Sequence, residues 1–539
     1  MSTCSKQQFL GGAMALTLST VLVKIIGLVY KIPLMRILGA EGMGYFNSAY
    51  EMYTLFFVIS TAGIPVAISI MISESIASGK LKNAEKTYRS SLWLLLCVGT
   101  VGSLVMIFGS DTLAHSIKSP DAALSLTFVA PTVLFISISG AVRGYFQGCR
   151  NMVPTAISQV VESLGKLFLG LAFATFAASR GLSTQKVAAF AILGLTVGTA
   201  LSTLYLCVAK SRAKLTLEHA VLENSCYSVK ATLGRLVRLA VPVTVSSVLV
   251  SLTRIVDMSM LMNRLPEGSE KLAVYGSYST MALPIYNLPS SLVAGIALAL
   301  VPSITNAVES GQREREKQLV ASGFKLCALI ALPAALGIGV YSEQILGLLF
   351  SGENDAIAVS SPLLAALGAS VFASCLVQVG NSVLQANRRI LHPIIAMLVG
   401  MLVKSVSAYV LIGIPKIGAM GAPISTLLCN LAAVVTELWF IEKYTGFDLS
   451  LARIFGKPAL FSVTSVAVSL AVYVLGVRFG ASDKVTFLLA VAVCAATYAL
   501  AIMLGGALDK EELEMLPFGN KLFGACKKLN IGACRENKN

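Results

Sequence analysis

Charge is scarce in this chain: 13% of its 539 residues are Asp, Glu, Lys or Arg, where a soluble protein carries about 25%. That shortage excludes an ordinary water-facing surface. Histidine is scarcer still, and His115, His219 and His392 lie too far apart in sequence to read as a ligand set. The eleven cysteines include no CxxC pair. Six of them, Cys97, Cys207, Cys327, Cys375, Cys429 and Cys494, fall in apolar runs where Cys is a small apolar residue. Neither a disulfide framework nor a metal centre is expected. HExxH, P-loop and GxSxG motifs are all missing, so hydrolysis and ATP-driven transport lack the residues that carry them. No catalytic residue and no cofactor is expected.

What the chain has instead is apolar length. Apolar residues make up 56%, the mean hydropathy is +0.78, and runs of about 20 apolar residues recur throughout, the signature of membrane helices. Fourteen spans are read, at 8–30, 48–72, 90–109, 122–146, 154–177, 187–209, 235–262, 275–301, 321–341, 357–385, 392–413, 419–441, 458–478 and 484–506. The expected class is an all-α integral membrane protein. With the N-terminus inside, and residues within three positions of a span end counted with the adjoining loop, 27 of the 42 Lys and Arg fall on the cytoplasmic side, against 10 outside and 5 deeper within spans. This bias puts both termini in the cytoplasm. It also assigns most of the net charge of +15 to topology and anionic lipid, and none to nucleic acid. Lys6 ahead of the first apolar run resembles a signal peptide, but Lys24 interrupts that run and no small-residue cleavage site follows, so it is read as a span.

The second half repeats the first. Ala62-Gly63-Ile64 with Ser78-Gly79 returns as Ala294-Gly295-Ile296 with Ser310-Gly311. Ser19-Thr20-Val21-Leu22-Val23 returns as Ser246-Ser247-Val248-Leu249-Val250. Gln147, Arg150, Pro154 and Lys166 return as Gln385, Arg388, Pro393 and Lys404. Three matches in one order indicate two pseudo-symmetric six-helix lobes, 1–209 and 235–441, and repeat interfaces are where transporters hold substrate. Residues 210–234 join them as an amphipathic cytoplasmic linker. Residues 442–506 add two C-terminal helices, and 507–539 form a basic cytoplasmic tail.

Ionisable residues deep in spans are functional candidates because lipid cannot solvate them. Lys24, Lys166, Arg254 and Lys404 stand against Glu162 and Asp257, with Glu51 at the outer start of span two. The sum is cationic, which suits a phosphate or pyrophosphate group. Other uses stay open: Arg254 with Asp257, and Glu162 with Lys166, share helix faces and can simply neutralise each other. Arg143 and Lys325, near inner ends, are expected to snorkel to the surface. Pro284 and Pro289 are expected to bend span eight.

The spans in two lobes plus two, the turn Arg36-Ile37-Leu38-Gly39-Ala40 followed by Glu41-Gly42-Met43-Gly44-Tyr45, and Ala62-Gly63-Ile64-Pro65 together resemble the polysaccharide-transporter branch of the multidrug/oligosaccharidyl-lipid/polysaccharide exporter superfamily. The resemblance covers the whole chain and is similar in character to the stage V sporulation protein B group and the MurJ-type lipid II flippases. It implies flipping of an undecaprenyl-pyrophosphate-linked oligosaccharide, lipid II or a related cell-wall or spore-cortex precursor, from inner to outer leaflet of the bacterial cytoplasmic membrane. Alternating access of two lobes around a cationic cavity is the implied mechanism, with spans thirteen and fourteen helping to hold the lipid tail. The MurJ type has an essential Arg in span one three residues before a Gly, and here Lys24 precedes Gly27 at that spacing. A second Arg position falls on Tyr30, with Lys31 beside it, while two more fall near Phe57 and on Pro284. A sodium site in the second lobe of some members has Asp257 as its candidate here, although span eleven offers no acidic partner.

The expected substrate-binding set is therefore Lys24, Lys31, Glu51, Lys166, Arg254 and Lys404, with Glu162 and Asp257 for ion coupling. Expected partners are the lipid-linked oligosaccharide and membrane lipids. Cell-wall synthesis enzymes are further candidates, and two repeats in one chain make a monomer sufficient. Two rival functions are a cation- or proton-coupled multidrug antiporter, for which the cationic interior has the wrong sign, and a membrane scaffold indifferent to its buried charges.

Overall fold

A computed structural model describes residues 3–213, 228–266, 270–447 and 450–505. Among these residues the regular structure is helical throughout, with no strand. The first part of the chain forms α1 (Thr3–Thr61), α2 (Gly63–Ala77), α3 (Leu81–Phe108), α4 (Ser110–Ser116) and α5 (Ala123–Gly148). It continues with α6 (Val153–Ser179), α7 (Thr184–Arg212), α8 (Val229–Arg264) and α9 (Lys271–Ser277). A π-helical turn, Tyr278–Ala282, leads into α10 (Leu283–Glu309), α11 (Arg313–Val340), α12 (Ser342–Leu349) and α13 (Asn354–Ala386). Last come α14 (Leu391–Ile412), α15 (Gly421–Thr445), α16 (Leu451–Arg478) and α17 (Asp483–Leu504). The expected linker helix lies mostly, and the basic tail wholly, outside the described residues.

Thirteen helical stretches among the described residues are long and apolar enough to cross a membrane. The first, Ser19–Ala77, takes in spans one and two together, so the count of fourteen depends on reading it as two crossings. At about 1.5 Å per residue a stretch of that length exceeds two bilayer cores of about 30 Å. It is not straight. Gly39, at φ 66° and ψ 179°, breaks the helical path in the turn that the sequence marks at 36–40, a conformation open to glycine because it has no Cβ. Large apolar side chains cover the outer faces, Phe108, Val435 and Leu504 among them. Water would not tolerate such a surface; acyl chains do.

The chain divides into two compact units, Met1–Thr280 and Met281–Asn539. The sequence repeat concerns ancestry, whereas this division concerns packing, and packing places α8 and α9 with α1–α7. The reason is visible at the contacts. Gly63 at the start of α2 lies directly against the Ala240 carbonyl and the Thr244 hydroxyl of α8. Around that crossing Ile68, Met71, Ile72, Leu95, Tyr145 and Leu236 form a fully shielded core. Within the same unit α6 and α7 approach backbone to backbone: Gly165 and Gly170 of α6 face Gly198 and Gly194 of α7. Small residues permit such an approach, and dispersion between the two backbones then holds it in a lipid environment.

In the second unit α13 is largely buried between α11 and α15. The two C-terminal helices are tied to α11 and to Tyr341 just after it by polar contacts. Tyr498 donates to the Leu329 carbonyl at 2.7 Å. Tyr341 and Ser469 share a 2.7 Å hydrogen bond, and Ser469 donates on to the Ala490 carbonyl at 2.9 Å.

Candidate functional site

Proline explains the first feature of the site. The carbonyl of residue i in a π turn is served by the N–H of residue i+5, and for Ser279 that residue is Pro284, which has no N–H. Pro284, expected to bend span eight, lies just after this π turn and leaves the Ser279 carbonyl without that donor. The Lys31 ammonium on α1 supplies the replacement, donating to that carbonyl at 2.9 Å. Asn47 on the same helix donates to Thr280 Oγ1 at 2.7 Å. An irregular backbone at membrane depth persists where side chains re-satisfy it; Lys31 does so, and Asn47 adds a side-chain tie beside it.

Around Lys31 the first unit gathers more charge. Lys31 interacts electrostatically with Lys166 of α6, Glu51 of α1 and Arg254 of α8. Glu51 in turn interacts with Arg254, Lys31 and Asp257. Asp257 is 3% exposed and Glu51 8%. Oε2 of Glu51 is shielded and has no hydrogen-bond partner among the described residues. Five of the eight expected residues, Lys31, Glu51, Lys166, Arg254 and Asp257, therefore belong to one cluster of three cations and two carboxylates. Counted formally, three cations against two carboxylates leave the cluster one positive charge.

Aromatic rings line this cluster. The Lys166 ammonium sits 4.4 Å from the centroid of Tyr50 and 5.3 Å from that of Tyr30, a cation–π arrangement worth about 1 kcal/mol or more where water is excluded. Tyr30 packs on Phe46, Phe46 on Tyr50, Tyr50 on Tyr53 and Tyr53 on Phe57. Three- and four-residue steps place Phe46, Tyr50, Tyr53 and Phe57 on one ridge of α1.

The other expected residues are placed differently. Glu162 pairs with Arg143, not with Lys166: Nη2 of Arg143 lies 2.8 Å from its carboxylate. The same guanidinium donates to Ser158 Oγ at 3.0 Å and Ser202 Oγ at 3.4 Å. Arg143, expected to snorkel, is instead drawn inward by three partners on α6 and α7. Lys24 is exposed on α1, seven residues and about two turns before Lys31, which puts both lysines on one face. Lys404 belongs to the second unit, where it is 3% exposed and donates to Thr426 Oγ1 at 3.2 Å. That unit also buries Glu437 of α15 to 2% exposure, its carboxyl against the backbone of Gly380, with no hydrogen-bond partner for Oε2 among the described residues. Sequence reasoning missed Glu437, yet the rule that selected Lys404, an ionisable residue inside an apolar span, selects it too.

Among the described residues no group of three or more His, Cys, Asp or Glu could hold a metal ion. Chemically, the cluster in the first unit offers fixed cations for an anion, a ring face for a cation or a sugar ring, and one unsatisfied carboxylate oxygen to accept a hydrogen bond.

A sequence profile described as Polysaccharide biosynthesis protein matches residues 9–308, and one described as MatE matches residues 242–410. Stage V sporulation protein B of Bacillus subtilis (strain 168) is 25% identical over 534 residues, covering 96% of this chain and 99% of that protein. Lipid II flippase MurJ of the same organism is 24% identical over 491 residues, covering 87% and 89%. Among solved structures, lipid II flippase MurJ in an inward closed conformation superposes with a TM-score of 0.69 at 15% identity, covering 90% of this chain and 98% of that one. An inward-facing multidrug resistance MATE family transporter of the MOP superfamily gives 0.61 at 16% identity, covering 79% and 94%. At such identities the structural likeness is one of fold.

Proposed function

This chain belongs to the polysaccharide biosynthesis protein family, in the polysaccharide-transporter branch of the multidrug/oligosaccharidyl-lipid/polysaccharide exporter superfamily, and we propose that it is a flippase for an undecaprenyl-pyrophosphate-linked oligosaccharide. In this reading the cargo is lipid II or a related cell-wall or spore-cortex precursor, moved from the inner to the outer leaflet of the bacterial cytoplasmic membrane, with both termini in the cytoplasm. The observation that carries the reading is the cluster of Lys166, Arg254 and Glu51 around Lys31. Ammonium and guanidinium donors make strong charge-assisted hydrogen bonds to phosphoryl oxygens. The bare Oε2 of Glu51 is suited to accept from a sugar hydroxyl, and Tyr50 to underlie a sugar ring. Transport then consists of exposing these groups to one leaflet and the other in turn, and Lys24, on the same face of α1 as Lys31, extends the cationic path.

Lys31 also suggests how the cluster releases its load. Its ammonium is held by the Ser279 carbonyl at the π turn, so a phosphoryl oxygen and a backbone carbonyl compete for one cation. A group already hydrogen-bonded at home binds a passing anion less tightly, which favours turnover over capture.

Complementation tests the proposal. In a strain depleted of its flippase, the wild-type chain is expected to restore growth and prevent accumulation of labelled lipid-linked precursor. Lys24→Ala and Arg254→Ala are expected to insert normally and fail to do so. Full activity of both variants would remove the cationic cluster from the mechanism.

The two buried carboxylates Glu51 and Asp257 favour one other reading, an ion-coupled multidrug antiporter. Under that reading deletion sensitises cells to cationic drugs and leaves precursor levels unchanged; under the flippase reading the reverse holds.

A further inference from the structure

Near the beginning of α3 and of α8, both in the first unit, the structure contains a hollow of about 760 Å³ that the transport reading does not use. Its α3 wall is graded. Lys82, Lys86 and Arg89 come first, Trp93 follows one turn later, and Cys97 beyond it. Spacings of three and four residues set these side chains on a single stripe of the helix. Val229 and Leu233 of α8 form the opposite, apolar wall. A second hollow, of about 680 Å³, shares Val229 and Leu233 and continues along α8 past Lys230 and Gly234 to Val237. One end is thus basic, and the remainder is an apolar channel open along one side, with Lys230 beside it.

The charge at the basic end is in surplus. Glu85 is its one acid, and it is already engaged by Arg89 at 3.1 Å and by Lys210 at 3.3 Å. Lys210 itself lies over the rings of Tyr145 and Tyr88. Neither Lys82 nor Lys86 makes an ion pair among the described residues. Trp93, at 69% exposed, marks the depth of the membrane interface, where Trp collects because its ring is apolar and its N–H polar. Arg89 then stands about 6 Å above it and Lys86 about 10 Å above it, the level of lipid headgroups.

We propose that this hollow is a binding site for one anionic phospholipid of the inner leaflet. Its phosphate is held by Lys82, Lys86 and Arg89, and its acyl chains lie along Trp93, Val229, Leu233 and Val237. The match is one of charge and of shape together: basic pockets between membrane helices on the cytoplasmic side select anionic headgroups, and the apolar channel below needs an apolar occupant. A soluble phosphate would leave that channel empty. The alternative occupant is the segment 214–227 of this chain, which rejoins the fold beside Val229.

The two tryptophans of the chain, Trp93 and Trp439, make a direct test available. In Trp439→Phe protein, Trp93 is the sole tryptophan, and its fluorescence reports on lipid beside it. Reconstituted in phosphatidylcholine bilayers containing brominated phosphatidylglycerol, it is expected to be quenched as though that lipid associates about fivefold more strongly than brominated phosphatidylcholine. The variant Lys82→Gln/Lys86→Gln/Arg89→Gln is expected to bring the ratio close to one. Equal quenching by the two lipids in the parent would reduce this face to ordinary annular contact and overturn the site. Protection of Trp93 from both lipids would overturn it as well, by showing the hollow filled by protein.

Discussion

Replacing Glu162 separates a structural charge from a transporting one. Its carboxylate lies 2.8 Å from Nη2 of Arg143, with side-chain exposures of 17% and 11%. At an effective dielectric of about 20 this separation corresponds to roughly 6 kcal/mol of attraction. Most of that offsets the desolvation of the two ions. Glu162→Leu, however, leaves the guanidinium buried with two hydroxyl acceptors and no counter-charge. Breaking one side of a buried pair costs about 3–5 kcal/mol, and the residual exposure with the Ser158 and Ser202 contacts puts this case near 3, or roughly a hundredfold in the folding equilibrium. Arg143→Met/Glu162→Leu is expected to recover all but about 1 kcal/mol. The serines stay satisfied, since Ser158 still donates to the Thr155 carbonyl and Ser202 to the Ser158 carbonyl. Unfolding in micelles titrated with dodecyl sulfate, run on wild type, both single variants and the double, measures the cycle. A double variant as unstable as Glu162→Leu would refute the pairing argument. A stable double variant that no longer clears lipid-linked precursor would give Glu162 a part in transport beyond holding Arg143.

Further expectations follow from single contacts. Gly198→Leu should largely abolish folded protein in membranes, because a Cβ at 198 would lie 2.8 Å from the Lys166 backbone nitrogen and 2.9 Å from the Gly165 carbonyl carbon; fluorescence-detected size exclusion reads this out. Tyr50→Phe should leave precursor transport within about twofold of wild type and Tyr50→Leu should lower it by about fivefold, since the ring face and not the hydroxyl meets Lys166; a proteoliposome flipping assay distinguishes them. Lys31→Met should lower thermal stability by about 1–2 kcal/mol by orphaning the Ser279 carbonyl, and Pro284→Ala in the same background should recover part of it by restoring an N–H. Equal stability of the single and paired variants would show that the proline is not the source of the missing donor.

Much of this architecture is written in apolar length. The helices and the turn at Gly39 follow from hydropathy and from a glycine, and the cationic sign of the interior follows from Lys166 and Arg254 standing where lipid cannot solvate them. Partners were harder to read. Helical periodicity offers Glu162 to Lys166 one turn away, yet the α6–α7 approach through Gly165 and Gly198 turns Glu162 toward Arg143 on α5. Which way a side chain faces depends on how its helix is rotated against two others, and no local pattern records that. The Lys31–Ser279 bond joins residues 248 apart in sequence; Pro284 signals an irregularity but does not name the residue that repairs it. Glu437 is legible by the same rule as Lys404, an ionisable residue inside an apolar span.

The central claim, that the cluster of Lys31, Lys166 and Arg254 carries a pyrophosphate-linked sugar across the bilayer, is tested most directly by reconstitution. Purified protein in liposomes holding a fluorescent undecaprenyl-pyrophosphate oligosaccharide should move the label from a leaflet accessible to a membrane-impermeant quencher to one that is not. Arg254→Ala and Lys166→Met proteins, folded by the same criteria, should slow that movement at least about tenfold, a loss of roughly 1.4 kcal/mol. Movement at the wild-type rate in both variants would contradict the account.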